Sequence, residues 1–233
     1  PPELVWPAMA RKSTKEKRRE HVRRLLSWCL LEALKAERDG ILPLCEGTGQ
    51  PTALDAVRQG LAATFGEAAA FQMEDEVQRV LGRDLGDWLD GPFITWHTKL
   101  YKKRPVIWQL SSDDYHNTFN VFVYLHKLDR DTLRKVQTQY LWPQRRTLES
   151  AREAGRAAKD YGRVGDAEEA LEVLAAFEAR LLRVIQAEVA CRIPDWAAGP
   201  YRQGLYDPVL DDGVKVNITP LQEAGLLRYK RMV

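Results

Sequence analysis

Basic and aromatic side chains crowd into one stretch of the 233-residue chain, between residues 96 and 124. Cations can contact phosphate and exposed rings can stack on bases, so this mixture is typical of a nucleic-acid surface. Alternation along a strand would instead bury about half of the rings in a core and leave the cations as a solvated rim. Both interpretations stay open on the sequence alone. The residues concerned are Lys99, Lys102, Lys103 and Arg104, with Trp96, Tyr101, Trp108, Tyr115, Phe119, Phe122 and Tyr124.

A second basic group opens a predicted helix over 11–40, which starts with the capping-box spacing of Ser13 and Glu16. Positive charge at the start of a helix opposes the helix dipole, which favours an external anionic partner such as phosphate. The alternative is an ordinary solvated face, because Glu16 and Glu20 dilute the charge. The two basic groups together supply the residues that we predict to bind DNA: Lys99, Tyr101, Lys102, Lys103, Arg104, Arg18, Arg19 and Arg23.

The other reactive residues assemble no enzyme motif that the sequence alone reveals. The histidines lack the spacing of a metal site; they are His21, His97, His116 and His126. Asp212 and Lys215 come nearest to a metal-dependent nuclease, but one residue too many separates them, and Asp-Asp-Gly also forms a tight turn. The loop Gly47-Thr48-Gly49 is superficially similar to a glycine loop that holds S-adenosylmethionine. We interpret it as a plain loop, because ILPL is broken by Pro43 and predicts no strand before it.

The composition limits the classes of protein to which the chain can belong. Apolar residues make up 45% and charged residues 29%, with a net charge of +2, so any electrostatic argument has to be local. Cys29, Cys45 and Cys191 form no C-x-x-C pair, which indicates reduced thiols and predicts a cytoplasmic protein. No apolar run is long enough for a signal peptide or a membrane span. A chain that starts on PPELVWP, without Met, is expected to be a fragment or a processed product.

Hydrophobic periodicity predicts a mainly α protein with a small β-hairpin: a helical bundle plus a coiled-coil-like helical hairpin. Two runs rich in β-branched and aromatic residues, PVIWQL (105–110) and FNVFVYL (119–125), form the predicted β-hairpin. Segment 41–51 is predicted to be a loop. Further helices are predicted from Pro51 onward and over 72–89, 93–102 and 129–141, the last of them ended by Pro143.

Three parts are predicted along the chain. A helical domain over 1–143 contains the β-hairpin at 105–125. A helical hairpin over 144–192 serves as a spacer, and its two antiparallel helices join at YGRVGD. A tail over 193–233 packs back on the domain and contains a possible strand at VKVNI and a short helix at 219–227.

Three segments carry a resemblance to a known family. They are WHTKLYKKRPVIWQLSS, FNVFVYLHKLDRDTLRKVQTQYLWPQ and, after a charged helical spacer, YDPVLDDGVKVNITPLQEAGLL. Their order resembles the C-terminal region of large adenine-specific DNA methyltransferases of bacterial anti-phage systems, the PglX-like enzymes of BREX and their DISARM relatives. The resemblance covers roughly 93–225 and, more faintly, the helices at 22–89.

The resemblance implies a non-catalytic C-terminal module. The glycine loop for S-adenosylmethionine and the motif that holds the target amine would lie in a catalytic half upstream of this chain. The partners implied are double-stranded DNA and that catalytic half or other defence-complex subunits, with no membrane. The module would hold DNA or dock subunits. The alternative is a protein-interaction subunit of a defence complex that makes no DNA contact, and a small nuclease is a third hypothesis.

Overall fold

Helices dominate the computed structural model, which describes Met9 and residues 11–101, 105–112, 118–190 and 218–228. The predicted fold class, mainly α with a small β-sheet, is confirmed. The elements in chain order are α1 (Thr14–Ala36), β1 (Ile41–Pro43), α2 (Ala53–Phe65), α3 (Glu67–Leu81), α4 (Leu85–Asp90), α5 (Pro92–Leu100), β2 (Ile107–Ser111), β3 (Asn120–Tyr124), α6 (Thr132–Lys135), a π-helix (Val136–Leu141), α7 (Trp142–Ala158), α8 (Tyr161–Ala190) and α9 (Thr219–Glu223).

The predicted β-hairpin forms the antiparallel pair β2–β3, in which Trp108 lies opposite Val123. A third strand, β1, adds to the other edge of β3, with Leu42 opposite Phe122. The prediction of a loop over 41–51 is therefore wrong at its first three residues. A three-residue strand carries too little periodicity to be recognised in the sequence, and it forms because the free edge of β3 supplies the hydrogen-bonding partners. Pro43 is tolerated because it lies on an edge strand.

The sheet separates two hydrophobic cores, because side chains of successive strand residues point to opposite faces. Val121 and Val123 of β3 pack into a core with α8 and the tail. Phe122, between them, packs into a core with α1, α2 and α5. The sheet is therefore the layer that both helical groups share, and it holds α5 against α1.

Two helix boundaries differ from the prediction. The predicted helix over 72–89 is two helices, since Gly82 ends α3 with a left-handed φ of 76° and the Asp84 side chain caps α4 by accepting from the Asp87 N–H. Pro143 does not end the helix before it but lies in the first turn of α7. The preceding π-helix makes this possible: Trp142 N–H donates to Gln137 O, five residues back, which shifts the hydrogen-bond register just before the proline.

Helices α7 and α8 form the predicted antiparallel hairpin, with the turn slightly earlier than YGRVGD. Lys159 adopts a left-handed conformation with φ 56°, and Asp160 N–H donates to Gly155 O at 2.9 Å. A side chain at position 155 would lie 3.0 Å from Val164 Cγ2, so the close crossing of the helices favours glycine there. Leu174, Phe177, Leu181 and Ile185 of α8 recur at spacings of three and four residues and are buried.

The described part of the tail adds to the edge of β2. Leu227 forms an antiparallel bridge with Leu110, and Ser111 N–H donates to Leu226 O at 2.9 Å. Leu221 of α9 is buried in the same core as α8. The predicted helix over 219–227 is shorter, ending at Glu223, and residues 214–217 of the predicted strand lie outside the described residues. Within the described ranges, no helix is long and apolar enough to cross a bilayer.

Candidate nucleic-acid interface

Helix α5 positions the first two candidate residues, Lys99 and Tyr101. Pro92 occupies the first turn of the helix, where its missing N–H costs nothing, and Tyr101 is the C-cap. Phe93 and His97 are buried on one face, whereas Lys99 and Tyr101 are exposed at the C-terminal end. A helix C-terminus favours positive charge, which suits Lys99.

Rings four residues apart along α5 form an aromatic ladder that runs from the core to the surface. Phe93 stacks on His97 with ring centroids 5.1 Å apart, and His97 contacts Tyr101 at 4.7 Å. Trp88 closes the inner end, 5.4 Å from Phe93. The outer ring, Tyr101, is 38% exposed. The ladder therefore presents one aromatic ring to solvent, at the helix end that also carries the exposed Lys99.

His97 is a structural member of this ladder. Ile107 N–H donates to its Nε2 at 3.2 Å, so the imidazole must be neutral on that nitrogen to accept the bond. Burial lowers its pKa to about 3, from an ordinary value of 6.5. A neutral, buried imidazole is suited to fixing the start of β2 against α5 rather than to exchanging protons with a ligand.

The structure shows which of the aromatic residues are buried and which are exposed, a distinction that the sequence alone does not make. Trp108, Phe119 and Phe122 are buried, as the core interpretation predicts. Trp96 is half-buried and donates from Nε1 to Glu20 Oε2 at 3.1 Å, which ties α5 to α1. Tyr124 is also half-buried, so Tyr101 is the exposed ring among the members of the set that the structure describes. Tyr115 and the basic residues Lys102, Lys103 and Arg104 lie outside the described residues.

Two of the three residues of α1 that were predicted to bind DNA have partners on another helix. Arg18 pairs with Glu76, and Arg19 Nε donates to Val80 O at 3.2 Å, so both bind α3. Arg23 is half-buried, and burial lowers its pKa. Its Nε is buried and has no hydrogen-bond partner among the described residues. Arg18 and Arg19 thus join α1 to α3, and the DNA contacts predicted for all three cations stay a prediction.

Lys35, in the last turn of α1, is a neighbour of this surface that the sequence analysis missed. Its pKa lies above the usual range, first because its ammonium donates to Glu32 at 2.8 Å, and further because the phenols of Tyr124 and Tyr101 lie close by. No sequence signal connects residues 35 and 101, since only the packing of the helices brings them together.

Two cavities adjoin the glycine loop that follows β1. A polar groove of about 770 Å³ lies between Gly47–Gln50 and α7, and a smaller cavity of about 230 Å³ reaches Asp90 and Asn120. The strand missing from the sequence prediction is present before the loop, but it is antiparallel and so is not part of a βαβ unit. Thr147 Oγ1 donates to Gly47 O at 2.8 Å, which holds the loop on α7.

Metal chemistry finds no support in the part of the chain that the structure describes. No group of three or more His, Cys, Asp or Glu residues there is placed to hold an ion. The nuclease candidates Asp212 and Lys215 lie outside the described residues. The nuclease hypothesis thus gains no observation in its favour.

Two curated proteins share a short stretch with the chain. The adenine-specific methyltransferase BrxX of Escherichia coli O9:H4 (strain HS) is 39% identical over 56 residues, which are 24% of this chain and 5% of that protein. The adenine-specific methyltransferase PglX of Lacticaseibacillus casei (strain Zhang) is 38% identical over 47 residues, which are 20% of this chain and 4% of that protein. No protein-family profile matches. These partial matches indicate a distant relationship to adenine-specific methyltransferases, over a twentieth or less of the length of each relative.

Proposed function

We propose that the chain is a non-catalytic C-terminal module of an adenine-specific DNA methyltransferase from a bacterial anti-phage system of the BREX or DISARM type. The module holds double-stranded DNA or docks the catalytic half of the enzyme and other defence-complex subunits, in the cytoplasm. The partial similarity to BrxX and PglX is the observation that carries this proposal. The exposed cation and ring at the end of α5 support the DNA-holding role.

In this proposal the chemistry takes place elsewhere. S-adenosylmethionine is held by the catalytic half, and methyl transfer to adenine occurs there. This chain contributes binding free energy that keeps the substrate near the catalytic half, since two linked binding modules raise each other's effective concentration. Lys99, Lys102, Lys103 and Arg104 are the residues proposed to meet the phosphates, and Tyr101 accompanies them.

The salt dependence of DNA binding tests this role. Binding of a fluorescently labelled duplex is measured by anisotropy at several salt concentrations, for the wild type and for the triple variant Lys102→Ala, Lys103→Ala, Arg104→Ala. Each phosphate contact contributes about 0.9 to the slope of log affinity against log salt, because it releases condensed counterions. We expect the triple variant to bind more weakly at low salt and to show a slope smaller by about 2–3.

A matched control removes three positive charges elsewhere. Arg83, Lys159 and Arg163 are exposed, and the variant Arg83→Ala, Lys159→Asn, Arg163→Ala has the same net charge as the test variant. Asparagine is chosen at 159 because it tolerates the left-handed conformation there. The control should keep the wild-type slope. Equal slopes for both variants, or no duplex binding by the wild type at low salt, would defeat the DNA-holding role.

A protein-interaction subunit is the second candidate, and the α7–α8 hairpin is the observation that favours it. Tyr161, at the turn, is 80% exposed and Trp142 is 42% exposed, and such rings are common anchors at protein interfaces. Recovery of a defence-complex subunit by the wild type but not by Tyr161→Ala, together with an absence of DNA binding, would select this candidate over the first.

A further inference from the structure

The exposed end of the aromatic ladder in α5 has a geometry that ordinary surface tyrosines lack. The Tyr101 ring lies 4.7 Å from the His97 ring, which in turn stacks on Phe93 at 5.1 Å. His97 and Phe93 are 1% and 0% exposed, so the ladder is anchored in the core. The position of the Tyr101 ring is thereby set before any ligand arrives, and little side-chain entropy remains to be lost on binding.

The surroundings of this ring supply positive charge. Lys99 is exposed two residues earlier in the chain. The Lys35 ammonium donates to Glu32 at 2.8 Å, which raises the pKa of Lys35, and the Tyr101 phenol contributes to the raised pKa. A flat ring that is held in place, at a helix end that also carries the exposed Lys99, offers the two features that bind a nucleotide: a stacking platform for the base and positive charge for the phosphate.

We propose that Tyr101 stacks on an unpaired DNA base, so that this surface binds single-stranded or unpaired nucleotides in preference to an intact duplex. The inference rests on the proposed DNA-holding function and names the form of DNA that the surface takes. In a duplex, both faces of an internal base are covered by its neighbours, so the Tyr101 ring has nothing to stack on. An unpaired base extends the ladder by one ring.

Alternative occupants of the ring fit the observations less well. A duplex alone would use the cations but not the ring. An apolar protein partner would cover Leu100, which is 36% exposed beside Tyr101, but it would leave the Lys99 ammonium facing an apolar surface at a desolvation cost. A nucleotide supplies both a base for the ring and a phosphate for the Lys99 ammonium.

Two variants of Tyr101 test the stacking. Tyr101→Leu keeps an apolar side chain against His97 but has no π-face, whereas Tyr101→Trp keeps and enlarges the π-face. Affinities are measured by anisotropy for an unpaired oligodeoxynucleotide of about 12 nucleotides and for the corresponding duplex. We expect Tyr101→Leu to lose about 10- to 100-fold in affinity for the single strand, and less than about threefold for the duplex. Tyr101→Trp should keep the affinity for the single strand.

The salt slope separates stacking from phosphate contact. Tyr101→Leu should keep the wild-type slope, because no phosphate contact is removed. Tyr161→Leu, which changes an exposed tyrosine far from α5 in the sequence, is the matched control and should leave both affinities unchanged. Urea unfolding of each variant checks that the fold is retained, and Tyr101→Trp gives a second reading if Tyr101→Leu unfolds.

Each outcome has a distinct meaning. Equal losses for single strand and duplex in Tyr101→Leu, or a loss no larger than in Tyr161→Leu, would overturn the stacking while leaving the DNA-holding function in place. The stacking would also be overturned if Tyr101→Trp lost as much affinity for the single strand as Tyr101→Leu does. Absence of binding to both forms of DNA by the wild type would overturn the proposed function and this inference together.

Discussion

His97 shows how a single buried side chain couples the candidate surface to the stability of the protein. Its neutral imidazole accepts the Ile107 N–H and supports the Tyr101 ring. The folded-state pKa, about 3, lies below the ordinary value of 6.5 because burial disfavours the charged form. The unfolded chain therefore binds a proton at position 97 at a higher pH than the folded chain does.

The sign of the pH dependence follows directly. The stability contributed by neutral His97 is complete above about pH 6.5 and falls progressively as the pH drops towards 3, by about 1.4 kcal/mol for each pH unit. His97→Gln keeps an acceptor for Ile107 N–H but has no proton to bind, so we expect a flatter dependence in this variant. Urea unfolding at several pH values between about 7 and 4.5 measures it.

The control for this prediction is His126→Gln, at an exposed histidine beyond β3. This variant should show the same slope of stability against pH as the wild type. Parallel curves of stability against pH for the wild type and His97→Gln would contradict the assignment of the slope to His97.

Single residues also mark the limit of the sequence analysis. The pattern of cations and rings was sufficient to select Lys99 and Tyr101, but it could not distinguish Tyr101 from Trp108 or Phe119. That distinction depends on whether a ring lies at a helix C-cap, as Tyr101 does, or in or beside a strand of a sheet covered on both faces, as Trp108 and Phe119 do. Partners distant in the chain, such as Val80 for Arg19, were invisible because local periodicity carries no information about tertiary contacts.

Strand β1 lies at an edge of the sheet, so its outward-facing backbone groups need hydrogen-bond partners other than a strand. It is three residues long and buried, and an edge strand leaves backbone groups without strand partners. Ile41 N–H donates to Asp39 Oδ1 at 3.0 Å, and the Tyr140 hydroxyl lies 3.2 Å from Ile41 O and 2.9 Å from Asp39 Oδ2. The π-helix thus covers the edge of β1 through Tyr140.

Removal of this hydroxyl tests the role of the π-helix. Tyr140 is 4% exposed, and burial, reinforced by the nearby Asp39 carboxylate, raises its pKa, so it stays protonated and able to donate. Tyr140→Phe should destabilise the protein by about 1–3 kcal/mol, because the Asp39 carboxylate and the buried Ile41 carbonyl lose the hydroxyl donor that they share. Chemical denaturation gives the free energy of unfolding. Tyr161→Phe, at an exposed position, should change it by less than about 0.5 kcal/mol, and an equal effect of the two variants would contradict this role.

The elements that the sequence did not predict share a physical cause. Strand β1 depends on the free edge of β3, and the passage of the helix through Pro143 depends on a register shift in the π-helix. Glu178 of α8 stabilises that region from outside, by accepting from Gln137 Nε2 at 2.8 Å and Trp142 Nε1 at 2.7 Å. Long amphipathic helices such as α8 were predicted because their pattern is local, whereas these features arise from contacts between distant segments.

The molecule as a whole is arranged around its sheet, whose two faces contact different groups of helices. Phe119, immediately before β3, lies 5.1 Å from the Phe177 ring of α8. Phe122, on the opposite face, lies 5.2 Å from the Phe93 ring of α5. One short strand segment is therefore in contact with both cores, which indicates that disruption of one core reaches the other through β3.

A matched pair of cavity variants tests whether the two cores unfold together. Leu30, in the core with α1, and Leu181, in the core with α8, are both fully buried. Leu30→Ala and Leu181→Ala should each destabilise the protein by about 2–5 kcal/mol. Since the sheet belongs to both cores, we expect each variant to lower the hydrogen-exchange protection of α1 and α8 amides by the same free energy.

The hydrogen-exchange measurement also tests the predicted boundary between the helical domain over 1–143 and the helical hairpin over 144–192. If the helical hairpin were an independent spacer, Leu181→Ala would lower the protection of α8 and leave α1 unchanged, and Leu30→Ala would do the reverse. The contact between Phe119 and Phe177 argues against that independence, because α8 supplies the cover for one face of the sheet. The protein would then hold the surface at the end of α5 in a fixed relation to the α7–α8 hairpin. A partner docked on the hairpin and a nucleotide stacked on Tyr101 would in that case bind to one cooperative unit.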